Sequence, residues 1–138
     1  MSQKRFEQLA AALARRDREL ARELEPVRRA LESVRETLGT SVRTFVETAR
    51  AAGAEHLAHV EVGPVEPDEK HVDCLQVKVR RGRWEIVCVG KTRGVVTVVG
   101  PYRRGKPEQP CRDHAFGAEA IDGAQDVLLE LLRGASER

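Results

Sequence analysis

The 138-residue chain reads as an α+β protein: a long N-terminal helical, coiled-coil arm, a four-stranded antiparallel meander and a C-terminal helix. Three observations predict this. Apolar residues recur at alternating steps of four and three from Leu20 to Leu38, the spacing of a helix with a narrow seam. Val-rich runs between residues 56 and 100 are separated by short Gly-containing turns, the pattern of neighbouring antiparallel strands. A last apolar stripe, Val127, Leu128, Leu131 and Leu132, has helical spacing and stops before Gly134.

The arm comes first, over residues 1–39. Its seam is Leu13, Leu20, Leu24, Val27, Leu31, Val34 and Leu38, extended toward the start by Phe6 and Leu9. Asp17 falls on a seam position, and Pro26 either kinks the helix or opens a second one. A helix that is polar over most of its surface is marginal alone, so the seam has to meet something. The narrow 3–4 spacing predicts self-association into a homo-oligomer, in either helix order. The same stripe would also serve a helix folded onto the chain's own sheet. Gly39 closes the pattern, and Thr40 or Ser41 caps a further helix through Val42, Phe45, Val46 and Ala49.

The α+β module is expected over residues 40–138, with strands at 56–62, 72–80, 83–90 and 95–100 and an acidic loop around Pro64, Pro67 and Asp68. A two-residue Arg81-Gly82 turn would set Val79 against Trp84, Val77 against Ile86 and Leu75 against Cys88 on one face, with Lys78 against Glu85 on the other. Continuing that register puts Val98 beside Val87 and Val96 beside Val89, which makes the second face partly apolar as well. Both faces then need cover. The C-terminal helix, capped by Asp122, would supply one layer, and the helix from Val42 or a partner chain the other.

Charge is segregated more than the net +2 suggests. Residues 53–77 carry net −5 and residues 78–106 net +8, with Glu85 the single acid in the latter. In a meander, the Arg81-Gly82 turn and the loop after Gly100 lie at one end. That end would collect Arg80, Arg81, Arg83, Arg103, Arg104 and Lys106, with Tyr102 as a stacking platform. Arginine-rich turns suit phosphate, and an aromatic ring suits unpaired bases. The expected activity is therefore non-catalytic: a self-associating binding protein whose basic sheet edge contacts nucleic-acid backbone without base specificity. The alternative is an adaptor or chaperone-like dimer whose basic edge meets an acidic protein surface.

Other chemistry is weakly signalled. Val89-Gly90-Lys91-Thr92 has Glu85 where a phosphate-binding loop needs glycine, and a strand follows it where that loop needs a helix. His71-x2-Cys74 and Cys111-x2-His114 have ligand-like spacing. The expected register, however, turns Cys74 and Cys88 to opposite faces, so neither metal nor any other cofactor is expected. No nucleophile–base constellation stands out, and no catalytic residue is expected. A polar start, no apolar run near the ~20 residues of a membrane span, and three unpaired Cys point to a cytoplasmic protein with no membrane contact. Nineteen Arg against five Lys, with no Asn, suggest a GC-rich bacterial genome.

Overall fold

The computed structural model describes residues 2–68, 71–105 and 110–136. One α-helix, α1 (Ser2–Ala51), takes up the first third of the chain. A single 3-10 turn, Glu55–Leu57, leads into six strands and a closing helix. These are β1 (Glu61–Val62), β2 (Glu66–Asp68), β3 (His71–Arg81), β4 (Trp84–Lys91), β5 (Val95–Arg103), β6 (Cys111–Ala115) and α2 (Ala118–Ser136). The sheet is antiparallel in the order β1-β3-β4-β5-β6, and β2 pairs with the same strand β3 as β1 does. No described helix is long and apolar enough to cross a membrane.

The α+β architecture agrees with the sequence reading, but the sheet has six strands where four were expected. Residues 55–57 form the 3-10 turn, and β1 occupies only two residues of the expected first strand. The acidic loop contributes β2, where Glu66 lies opposite Gln76 and accepts a hydrogen bond from its Nε2 at 3.3 Å. Strand β6 is short, polar and at the sheet edge. Its own residues show no apolar alternation, and its place comes from pairing with Val95–Val99.

α1 does not break at either expected point. It runs through Pro26, and through Gly39 into the residues assigned to a separate helix. A helical glycine costs about 1 kcal/mol relative to alanine. Leu38 and Val42, on either side of Gly39, are both buried, and their packing outweighs that cost. The Thr40 hydroxyl donates to the Glu36 carbonyl at 3.1 Å instead of capping a new helix. Asp122 likewise lies inside α2 and caps nothing, because α2 starts at Ala118.

Two turn details change the register. The β3–β4 turn is Gly82-Arg83, so Arg81 pairs with Trp84 and Val79 with Ile86, two residues from the expected match. Gly82 takes φ +59° at the first central position, where a hairpin of this kind calls for glycine. A two-residue shift leaves the faces as expected, since side chains alternate with period two. It does give Glu85 a different partner, Arg80 in place of Lys78. The β4–β5 turn has three residues, 92–94, so Cys88 pairs with Val98 and Gly90 with Val96. This one-residue shift transfers Val96 and Val98 to the same face as Leu75, Val77, Val79, Ile86 and Cys88.

With those valines turned inward, the face that carries Leu75, Val77, Val79, Ile86 and Cys88 is the one both helices cover, while Val87, Val89 and Val99 point to the other side. Val27, Leu31, Val34, Leu38 and Val42 of α1 join Ala120, Ala124, Leu128, Leu131 and Leu132 of α2 over the inner strand residues in one cluster. Neither helix supplies the layer expected on that opposite side. Gln125 Nε2 donates to Ser41 Oγ at 3.1 Å where the helices run side by side. Gly90 sets the approach of α1, because a Cβ there would lie 2.7 Å from Val27 Cγ1.

Val27 is therefore where the helix joins the body. Residues 2–19 are exposed along their whole length, with Phe6 66%, Leu9 55% and Leu13 48% exposed. At 1.5 Å per residue, about 35 Å of helix projects beyond the sheet. It leaves from the end bearing the 92–94 turn, opposite the Gly82-Arg83 turn.

Candidate nucleic-acid interface

The end of the sheet opposite the arm is built from the β3–β4 turn and the end of β5. Trp84 pairs with Arg103, and the Arg104 N–H donates to the Arg83 carbonyl at 2.9 Å. Arg104 Nη2 donates to the Gly82 carbonyl at 2.8 Å. Backbone pairing thus draws Arg83, Arg103 and Arg104 into one corner. All three are exposed, and among the described residues none of them makes an ion pair with a carboxylate.

Three other expected members of this cluster, Arg80, Arg81 and Tyr102, are engaged within the fold. Arg81 points to the inner face and is 8% exposed. Its Nη1 donates to the Leu132 carbonyl at 2.7 Å, and its guanidinium lies 5.5 Å from the centre of the Phe45 ring. It joins the sheet to α2 near its C-terminal end and to α1, a position where the helix dipole favours a cation. Burial pulls its pKa below the usual arginine value. Sequence reading had placed Arg81 in an exposed turn, and the turn lies one residue further on.

Arg80 points to the outer face, where its Nε donates to Glu85 Oε1 at 2.9 Å. Glu85 is 4% exposed and also accepts a hydrogen bond from the Tyr102 hydroxyl at 2.9 Å. Arg80 is held charged chiefly by Glu85, with Glu66 and Glu61 adding to the effect. Tyr102 is half-buried and its hydroxyl is engaged, so it packs within the fold instead of standing clear as a platform. Lys106 lies outside the described residues.

Beside this corner is a cavity of about 450 Å³ lined by Ala58, His59, Val60, Glu61, Arg80, Gly82 and Arg104. Sequence reading missed His59 and Glu61 as neighbours of the basic end. The signal available was the cross-strand pair Glu61–Arg80, which follows once β1 is laid on β3. With Glu61 and the Arg80–Glu85 pair, the cavity is close to charge balance. The positive surface is the exposed trio, of which Arg104 sits at the cavity wall and Arg83 and Arg103 lie outside it.

A second cavity of about 370 Å³ lies at the arm end of the sheet, lined by residues that include Asp68, His71, Asp73, Cys74, Lys91 and Arg93. His71 Nδ1 is 3.2 Å from Asp68 Oδ2. Burial and the neighbouring Asp73 push the Cys74 thiol pKa up, away from a reactive thiolate. Cys111 and His114 are three apart in β6 and turn to opposite faces, with His114 against Gly123 of α2. Among the described residues no group of three His, Cys, Asp or Glu is placed to hold a metal ion.

Of the seven residues read as an interchain seam, Val27, Leu31, Val34 and Leu38 are at most 1% exposed in the chain's own core. They cannot meet a partner while the sheet covers them. A heptad stripe and a sheet-facing stripe share the same spacing, so periodicity alone did not separate the two. Leu24 packs at the margin of that core, Leu20 is half-buried, and Leu13 stands exposed. Comparison with protein-family models, with curated proteins and with solved structures finds no match to this chain.

Proposed function

We propose that this protein is a non-catalytic, self-associating binding protein whose basic corner contacts the phosphate backbone of nucleic acid without reading base sequence. One observation carries the reading: Arg83, Arg103 and Arg104 are held together by backbone pairing, exposed, and without a carboxylate partner among the described residues. Like charges held this close repel one another, and an anion relieves the repulsion. Guanidinium groups also match phosphate oxygens in geometry. Self-association rests on Phe6, Leu9 and Leu13, large apolar side chains on a projecting helix.

The test is binding of a labelled random-sequence duplex and single strand at rising salt. Binding should weaken with a log–log slope near 0.9 per neutralised phosphate for duplex DNA, and each of R83E, R103E and R104E should flatten it by about one unit. Absence of binding at low salt rejects the reading. The small size of the corner, three guanidinium groups, favours a second reading in that case, in which the same arginines meet an acidic protein surface.

A further inference from the structure

We infer that two copies of this chain associate through their projecting arms in antiparallel order, with the folded bodies at opposite ends of the pair. The inference rests on the self-association proposed above and adds its geometry. The stripe of exposed Phe6 and Leu13 and half-buried Leu20 and Leu24 is continuous with the stripe that the sheet covers from Val27 onward. In a parallel pair the two seams would face each other along the whole helix. From Val27 on, each chain's own sheet occupies the space the partner helix needs. In an antiparallel pair the partner's body lies beyond residue 2, clear of this chain's own sheet.

Asp17 points the same way. Parallel order sets each seam residue against its own copy, so two Asp17 carboxylates would be buried face to face, a like-charge pair in a closing interface. Antiparallel order pairs the two kinds of seam position instead. The register that lays the uncovered stripe on itself sets Phe6 against the partner's Leu24, Ala10 against its Leu20, and Leu13 against its Asp17, with Leu9 on the flank of the seam. The two Asp17 side chains are then offset by about 6 Å along the axis. Phe45 lies under the basic corner through its contact with Arg81. The two copies of Phe45 would be 60 helix positions apart, which separates the two corners by about 90 Å.

Disulfide trapping in a C111S background, combined with sedimentation velocity on the full chain, tests this. An equimolar mixture of A10C and L20C should trap at least tenfold more covalent dimer than either variant alone, and L13E should weaken the dimer about 100-fold or more. Trapping of A10C alone as efficiently as the mixture would overturn the antiparallel order and leave self-association standing. A dimer with no trapping in any combination would place the interface elsewhere and also overturn the inference. A monomer at high micromolar concentration would remove self-association and this geometry together.

Discussion

Tyr102 donates its hydroxyl proton to Glu85 across 2.9 Å, on the outer face of the sheet where Arg80 holds the same carboxylate from the other side. Burial first, then the bond to Glu85, pushes the phenol pKa well above its usual value near 10. A raised folded-state pKa means that this stabilisation is complete below about pH 10 and is lost as the pH rises through the folded-state titration. Tyr102 is the single tyrosine in the chain, so the signal is unambiguous. At pH 11 the folded protein should show almost no phenolate absorbance at 295 nm, and it should gain the full signal on unfolding in urea. Full phenolate absorbance in the folded state would contradict the Tyr102–Glu85 bond.

Arg81 and Arg103 should separate stability from binding. R81A removes the bond to the Leu132 carbonyl and the contact with Phe45, and should destabilise the fold by about 2 kcal/mol. R103A should change stability by less than about 0.5 kcal/mol and weaken nucleic-acid binding. Urea titration followed by Trp84 fluorescence reads the first quantity and anisotropy the second. A reversed pattern would return Arg81 to the contact surface.

Gly90 and Val27 should be energetically coupled. G90A places a methyl 2.7 Å from Val27 Cγ1, and overpacking of this kind typically costs about 1–3 kcal/mol. V27A alone leaves a cavity under the helix, also at a cost. The double variant should be more stable than the sum of the two losses allows, by about 1 kcal/mol. Strict additivity would mean that α1 does not cross β4 at this point.

Thiol chemistry should follow the placement of the three cysteines. Cys111 is exposed, whereas Cys74 and Cys88 are buried. Burial pushes the Cys88 thiol up to about 12. A disulfide reagent at pH 8 should titrate one thiol rapidly in the folded protein and three after denaturation, and C111S should abolish the rapid phase. Fast reaction at Cys88 would mean that β4 does not lie beneath the helices.

Legibility in the sequence followed the range of the interactions. The long strands and the two helical stripes were readable because period two and period 3.6 are written in consecutive residues. Register was not, because one residue in the Thr92-Arg93-Gly94 turn decides which way Val96 and Val98 face. Strand β6 was invisible for a related reason: its residues are polar, and only the neighbouring β5 gives them extended partners. At the basic end, local arginine density was visible, but not that Arg81 would reach a helix end 51 residues away. Three arginines of the expected cluster remain as contact candidates because their surroundings are local to two turns.

Pro26 sits one residue before the helix enters the body. Having no N–H, it removes one rung of the hydrogen-bond ladder at the junction between the covered and uncovered parts of α1. The helix is thus mechanically weakest where its lateral support ends, which makes the preceding two dozen residues a lever pivoting at the body. Amide hydrogen exchange in the isolated subunit should therefore show a step there, with fast exchange in the lever and slow exchange from Val27 onward. Engagement of the lever would abolish that step, so the protection pattern of one helix reports whether its free end is held.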